Sequence, residues 1–180
     1  MEPPEVINGD GLVLRRWEPV WAAEAAAAVR ESLPELMQYM PWASEAYDEE
    51  ASRAFLETSS KNWAEGTEFN YGIFDDDGQL VGSVGLMTRM GPGIMEVGYW
   101  MRSAYAGRGY MTAAVREITR VALTLPEIER VAIRFDASNA GSAAVARKNG
   151  FAEVRRIERE PQAPGETGTD IVTELRKPAT

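Results

Sequence analysis

A glycine-containing turn between a strand and a helix constrains this chain more than any other feature of its sequence. The turn, residues 106–112, follows the strand-like run 96–101 and precedes an amphipathic helix that ends near Leu125. Apolar side chains in that helix recur at the i, i+3, i+4, i+7 spacing of one helical face. Main-chain N–H groups at such a turn lack helical partners and meet the positive end of the helix dipole. The turn therefore predicts an anion site of the kind that binds phosphate.

The order in which predicted strands and helices follow one another changes halfway along the chain. Strand patterns cover 12–17, 69–74, 80–86, 96–101, 131–135, 151–157 and 170–176. Helical patterns cover 18–30, a short piece from Ser32 or Pro34, a segment capped by Asp48 that carries Ala51, Phe55 and Trp63 on one side, 110–125 and 139–149. The first half is antiparallel and the second half is a β-α-β-α-β succession. We therefore expect one domain, 1–180, with a mixed α/β fold, a twisted sheet and helices on both faces.

The absence of two residue types limits which catalytic and metal-binding groups the protein can have. The 180 residues include no cysteine and no histidine. This excludes disulfides, cysteine nucleophiles, histidine bases and metal sites built from His or Cys, so no metal is expected. Acid–base chemistry must then come from Asp, Glu, Tyr, Lys, Ser or water.

The net charge of −9 bears on partners. An acidic surface repels nucleic acids and anionic membranes and attracts cationic substrates, although acidity also serves solubility alone. The sequence contains no apolar run near the ~20 residues needed to span a bilayer, and its first five residues do not resemble a secretion signal. We expect a cytoplasmic protein with no nucleic-acid or membrane partner.

Six segments in order carry a resemblance to a known family: 12–17, 41–42, 74–82, 96–100, 107–112, and 139–142 with 150–151. Together they resemble the GNAT superfamily of acetyl-CoA-dependent N-acetyltransferases, and within it the branch of ribosomal-protein N-terminal acetyltransferases. The resemblance covers nearly the whole chain. It implies a GNAT-like, mainly antiparallel sheet of seven strands flanked by about four helices, with acetyl-CoA as co-substrate. Many relatives are dimers, so a homodimer is possible.

The resemblance also implies a coenzyme site. The family's pyrophosphate loop, Gln/Arg-x-x-Gly-x-Gly/Ala, maps onto 106–111, with Ala106 and Met111 departing from the pattern. Because main-chain N–H groups would hold the phosphates, we expect binding to survive. The pantetheine arm would lie along the preceding strand, which a bulge commonly separates from its neighbour in the family. The expected coenzyme residues are Trp100, Met101, Arg102, Ala106, Gly107, Arg108, Gly109, Tyr110, Met111, Thr112 and Asn139. Alternatively, Arg108 is a solvated surface residue, and Asn139 can serve as a helix N-cap as well.

Two residues are the implied catalysts. Ser142 lies where this branch often carries a hydroxyl near the thioester sulfur and would protonate the leaving thiolate. Many other members use a Tyr four residues later, where this chain has Ala146. Ser142 can instead bond the helix backbone. Glu96 is the candidate base, directly or through an ordered water, unless it is a surface residue of an edge strand. Glu68, Glu158 and Glu160 are weaker candidates.

The identity of the acceptor is the part of the function that the sequence determines least. Tyr39, Trp42 and Asn70 are expected to line its pocket, with a core role as the alternative for Trp42. Three functions remain: an acetyltransferase for protein N-termini; one for small amines such as a polyamine, an aminoglycoside or an amino-acid-like molecule; and a non-catalytic coenzyme-binding module. A donor other than acetyl-CoA, such as succinyl-CoA, is also open.

Overall fold

The computed structural model describes residues 2–180 and contains one eight-stranded sheet. The strands are β1 (Val6–Asn8), β2 (Leu12–Arg16), β3 (Glu68–Asp75), β4 (Leu80–Met87), β5 (Ile94–Met101), β6 (Arg130–Asp136), β7 (Ala152–Glu158) and β8 (Thr169–Arg176). Their order in the sheet is β1-β2-β3-β4-β5-β6-β8-β7. Every neighbouring pair is antiparallel except β5 and β6, which are parallel.

Five helices cover the two faces of the sheet. They are α1 (Ala22–Glu31), α2 (Leu33–Leu36), α3 (Glu49–Glu65), α4 (Tyr110–Thr124) and α5 (Ala140–Lys148). The apolar stripe of α4 is buried against the side chains that alternate towards it from the strands, including Phe69, Tyr71 and Ile73. On the opposite face, α1 and α3 enclose Trp17 and Phe74. The predicted fold class is confirmed.

The sheet has one strand more than the seven expected. β1 is only three residues long, too short for a visible alternation, and it pairs antiparallel with β2 through a turn at Gly11. Ile7 is its one buried side chain. The short strand completes the sheet edge beside β2. Among residues 2–180, no helix has the length and apolar character that a membrane crossing needs.

Of the three residues that the sequence places on one side of α3, only Trp63 is buried. Asp48 caps the helix as expected, because its side chain accepts a hydrogen bond from the N–H of Ala51 at 2.9 Å. The buried stripe is Ser52, Leu56, Ser59 and Trp63. Trp63 thus belongs to the buried stripe, whereas Phe55 is 37% exposed and Ala51 is partly exposed. Hydrogen bonding lets the serines be buried: Asn70 Nδ2 donates to Ser59 Oγ at 2.8 Å.

Strands β5 and β6 separate after a short paired stretch. Ile94, Met95 and Glu96 are in register with Arg130, Val131 and Ala132, and the pairing ends there. Both strands continue, β5 to Met101 against β4 and β6 to Asp136 against β8. A cleft therefore opens in the middle of the sheet from Val97 onward. Main-chain groups of β5 that point into this cleft are available to an extended ligand, as at any sheet edge.

Candidate active site

An open cavity of about 1200 Å³ occupies the cleft and the sheet surface beside it. Alternate residues of β3, β4 and β5 line it on the face of α1 and α3, among them Asn70, Ser83 and Glu96. Ile133 to Asp136 of β6 line it on the other side of the cleft, together with Ser142. The cavity thus passes through the sheet, from the α3 face to the first turn of α5.

Two glycines make room for this cavity. Gly85 and Gly98 are register partners on β4 and β5, and both line the cavity. A Cβ at Gly85 would lie 1.9 Å from Asn70 Oδ1, and one at Gly98 would lie 2.9 Å from Met87 Cε. A side chain at Gly85 would therefore displace Asn70 from its place in the wall.

The three expected acceptor residues all lie in the cavity wall. Trp42 is 43% exposed, so the core alternative does not hold. Its ring lies 6.3 Å from that of Trp100, between ring centroids, and 5.6 Å from that of Tyr47. Asn70 is fixed by its bond to Ser59, and the Tyr39 hydroxyl donates to the carbonyl of Ser138 at 3.0 Å. Phe55 extends the aromatic wall, and the sequence did not single it out for this role.

Glu96 lies inside the cavity rather than on the surface. Its side chain is 5% exposed and forms an ion pair with Arg89. Glu68 lines the same wall and accepts a hydrogen bond from Asn62 Nδ2 at 2.7 Å. Glu158 and Glu160 are exposed, outside the cavity wall formed by residues 2–180. Of the four glutamates that the sequence offers as a base, Glu96 and Glu68 are therefore the two that line the cavity.

Ser142 lies where α5 meets the cavity. Asn139 is the N-cap of this helix, and its Oδ1 accepts a hydrogen bond from the Ser142 N–H at 3.1 Å. The backbone of Ser142 is thereby fixed while its side chain lines the cavity. Ala146, one turn later, is buried against the core.

Tyr99 is a residue of this site that the sequence did not single out. Its ring lines the cavity, and its hydroxyl is buried without a hydrogen-bond partner among residues 2–180. Burial raises the pKa of Tyr99 to about 12, and the influence of the neighbouring Ser142 hydroxyl acts in the opposite direction. Strand alternation, which places Tyr99 on the face opposite to Glu96, was the signal available in the sequence.

The glycine turn forms a separate surface at the start of α4. Gly107 and Gly109 have φ of +76° and +82°, a left-handed conformation that favours glycine. The N–H of Ala113 bonds the carbonyl of Gly109 at 3.1 Å, so the helical bonding of α4 begins there. The N–H groups of residues 110–112 precede this bond and remain available to an anion. Met111 is 7% exposed, and its side chain packs in the core instead of blocking the turn.

The other expected coenzyme residues surround this turn or precede it. Arg102 is engaged elsewhere: its guanidinium bonds Glu31 at 2.8 Å and the carbonyl of Leu80 at 2.8 Å. Arg108 is exposed, with its guanidinium carbon 5.3 Å from the ring centroid of Tyr105. Four further positions have these surroundings: Ala106 is exposed, Tyr110 packs on Tyr105, the carbonyl of Thr112 accepts from Asn149 Nδ2 at 3.2 Å, and Met101 packs against the core.

A buried network of ion pairs borders the cavity near α5. The Asp136 carboxylate accepts hydrogen bonds from the N–H groups of Ser138, Thr167 and Gly168. Burial acts to raise the pKa of Asp136, but these bonds outweigh it and hold the pKa well below the usual 3.8. Arg159 forms ion pairs with three carboxylates, those of Asp136, Asp170 and Glu166. Since one guanidinium contacts all three carboxylates, the group acts as a structural network that fixes the loop between β7 and β8.

Comparisons with known proteins identify the family of the chain. The acetyltransferase (GNAT) domain family matches residues 11–152. The Bacillus subtilis protein named "Probable N-acetyltransferase YjcK" is 27% identical over 150 residues, which are 81% of this chain and 83% of that protein.

Two solved structures share the fold. One is RimL, a ribosomal L7/L12 alpha-N-protein acetyltransferase in complex with coenzyme A, with a TM-score of 0.87, 19% identity, and coverage of 96% of this chain and 98% of that one. The other is the microcin C7 self immunity acetyltransferase MccE in complex with acetyl-CoA and AMP, with a TM-score of 0.85, 18% identity, and coverage of 93% of each chain. Since the family match spans most of the chain, this protein belongs to the GNAT acetyltransferases and is an N-acetyltransferase.

Proposed function

We propose that the protein transfers an acetyl group from acetyl-CoA to the primary amine of a protein N-terminus, by direct attack within a ternary complex. One observation carries the proposal. The cavity that contains Trp42 and Glu96 continues through the split between β5 and β6 to Ser142. An acceptor amine entering from one face and a thioester lying in the cleft can therefore meet inside the sheet.

The coenzyme occupies the cleft and the turn in this proposal. Its pyrophosphate lies against the free N–H groups of residues 107–112, where the dipole of α4 adds to the attraction. Its pantetheine arm runs along the open edge of β5 past Trp100 and Met101, and Asn139 lies near its reactive end. The family relatives in complex with coenzyme A and with acetyl-CoA support this choice of donor.

The chemistry needs a neutral amine and a protonated leaving thiol. A water takes the amine proton and passes it on through Glu96, while the nitrogen attacks the thioester carbonyl. A main-chain N–H of β5 that faces the cleft donates to the oxyanion of the tetrahedral intermediate. The C–S bond then breaks, and Ser142 gives its proton to the sulfur. With no cysteine in the chain, an acetyl-cysteine intermediate is excluded.

Support for a protein N-terminus comes from the size and charge of the cavity. At about 1200 Å³ the cavity is large enough to hold the first residues of an extended chain beside the pantetheine arm. Aromatic rings at Trp42 and Phe55 offer apolar contacts to the side chains of such a peptide. The net charge of −9 favours a cationic acceptor. The described action of RimL on a ribosomal protein agrees with this choice.

A small amine is the second candidate, and one observation favours it. The loop between β7 and β8 is tied across to the segment after α2, because the Gly165 N–H donates to the carbonyl of Gln38 at 2.9 Å. The Ser138 hydroxyl donates to the carbonyl of Gly165 at 2.7 Å. These bonds close one side of the cavity, as a compact substrate requires.

An acceptor panel read by thiol release tests the proposal. Peptides that begin with Ser, Ala or Met would be compared with the same peptides blocked at the N-terminus, and with spermidine and an aminoglycoside. The protein contributes no thiol background. We expect unblocked peptides to release coenzyme A fastest and blocked peptides to release none. Turnover with small amines alone would contradict the peptide assignment, and faster turnover with succinyl-CoA would contradict the donor.

A further inference from the structure

The hydroxyl group of Tyr99 is a buried polar group beside the reaction site. The ring lines the cavity, but the oxygen is shielded from solvent and has no hydrogen-bond partner among residues 2–180. A buried hydroxyl without a partner destabilises a fold, because the hydrogen bonds it made to water are not replaced. Such a group needs an explanation beyond packing.

Tyr99 and Ser142 approach each other from the two sides of the cleft. Alternation along β5 places Tyr99 with Val97 and Met101, on the face of α4 and α5. Ser142 lies in the first turn of α5 and lines the same cavity. Burial raises the pKa of Tyr99 to about 12, and Ser142 is the side chain that acts to lower it. Both side chains therefore line the same cavity, and the Tyr99 hydroxyl makes no bond of good geometry to Ser142.

The Ser142 hydroxyl needs a hydrogen-bond donor beside it to fix the direction of its own O–H. Its backbone is fixed by Asn139, but a serine hydroxyl rotates freely unless a donor engages its oxygen. Tyr99 remains protonated at neutral pH, so it is a permanent donor. When a donor bonds the serine oxygen, the serine proton must point away from that donor. The same bond polarises the serine hydroxyl and makes its O–H a stronger donor.

We propose that Tyr99 is a positioning residue, which donates its hydroxyl proton in a hydrogen bond to Ser142 Oγ and so directs the Ser142 O–H at the thioester sulfur. The inference rests on the proposed function, in which Ser142 is the acid. When the C–S bond breaks, its electron pair goes to the sulfur and the Ser142 proton follows. The Tyr99 hydrogen bond stabilises the negative charge that develops on the Ser142 oxygen, which regains a proton from water in the cavity. Tyr99 keeps its own proton throughout.

Tyr99→Phe tests this role because it retains the ring and removes the hydroxyl alone. We expect kcat to fall about tenfold while the Kd for acetyl-CoA and the KM for the acceptor stay unchanged. The melting temperature should change little, because the substitution leaves the packing of the ring intact. Tyr71→Phe is the matched control on β3: its hydroxyl donates to the carbonyl of Pro4 at 2.6 Å, outside the cavity wall. That variant should melt a few degrees lower, roughly 2–4 °C, with unchanged kcat.

A double-mutant cycle with Ser142→Ala separates this inference from the proposed function. If Tyr99 acts through Ser142, Tyr99→Phe will change kcat less than twofold once Ser142 is already alanine. A full tenfold loss in that background, or an unchanged kcat in the Tyr99→Phe single variant, would overturn the positioning role and leave the acid role of Ser142 intact. An unchanged kcat in Ser142→Ala alone would overturn both.

Discussion

Glu96 accepts two hydrogen bonds from one guanidinium group, from Arg89 Nε to Oε1 and from Arg89 Nη2 to Oε2, both at 2.7 Å. The carboxylate is buried in the cavity wall, whereas the Arg89 side chain is 65% exposed. A two-point bond of this kind sets the orientation of the carboxylate as well as its charge. A water that reaches Glu96 must share an oxygen with Arg89, which fixes where the proton acceptor can lie.

The first prediction concerns this carboxylate. Glu96→Gln retains the shape of the side chain but removes the charge and the proton acceptor. We expect kcat/KM for the amine at pH 7 to fall about 100-fold, the usual scale for loss of a general base, with the Kd for acetyl-CoA unchanged. Glu117→Gln is the control, because Glu117 pairs with Arg120 on α4, outside the cavity wall. Equal activity in the two variants would contradict a role for Glu96.

The second prediction concerns the acid. Ser142→Ala should lower kcat about 100-fold and leave acetyl-CoA affinity within twofold. The free energy of unfolding should change by no more than about 0.5 kcal/mol, because the substitution retains the Ser142 N–H that bonds Asn139. Ser44→Ala, at an exposed position, serves as the control. Steady-state kinetics together with a calorimetric Kd separates turnover from binding. A weaker Kd with normal kcat would count against the acid.

The third prediction concerns the glycine turn. Gly107→Ala and Gly109→Ala force a Cβ into left-handed backbone at about 1 kcal/mol each, and no atom within 4 Å obstructs that Cβ. Gly78→Ala, in the β3–β4 hairpin, has the same positive φ and the same open surroundings, so it is a matched control. All three should lose similar stability. Only the first two should bind acetyl-CoA at least fivefold more weakly, and equal Kd values in all three would show that the turn holds no coenzyme.

The fourth prediction concerns acid stability. An aspartate in an unfolded chain titrates near pH 3.9, whereas the hydrogen bonds to Asp136 hold its folded pKa lower. The unfolded chain therefore binds a proton first as the pH falls. The stabilisation is complete above about pH 5 and is lost as the pH falls through 4 towards the folded pKa.

Thermal melting between pH 3 and pH 6 checks whether stability falls with pH as expected. Asp136→Asn should be less stable at pH 6 but should lose less of its melting temperature on acidification. Asp76→Asn, at an exposed turn position, should follow the unchanged chain. If the melting temperature of Asp136→Asn falls with pH as steeply as that of the unchanged chain, Asp136 is not the group responsible for the loss of stability in acid.

Local sequence patterns predicted those parts of the fold that depend on neighbouring residues. The hairpin at Asp75–Gly78, the cap at Asp48 and the apolar stripe of α4 each follow from residues within one or two turns. The turn at Gly107 and Gly109 was found for the same reason, since positive φ favours glycine. β1 was missed because three residues are too few for a pattern.

Features that depend on tertiary contacts were not predictable in this way. The sequence placed Phe55 on the same side of α3 as Trp63, but Trp63 is buried with Ser59, which bonds Asn70 of β3, whereas Phe55 lines the cavity. The network around Asp136 joins residues about thirty positions apart, through main-chain N–H groups that no side-chain pattern reveals. The place of Tyr99 in the cavity wall depends on the cleft that opens where β5 and β6 separate. Only the resemblance to relatives suggested that cleft.

Calorimetric titration of the purified protein with acetyl-CoA decides whether the glycine turn and the cleft form a coenzyme site. We expect binding of one acetyl-CoA per chain at micromolar Kd, because the free N–H groups of the turn and the open edge of β5 are both in place. Binding should weaken in Gly107→Ala and persist in Gly78→Ala. An absence of binding heat, confirmed by the lack of any shift in melting temperature at millimolar acetyl-CoA, would contradict the coenzyme site and with it the proposed reaction.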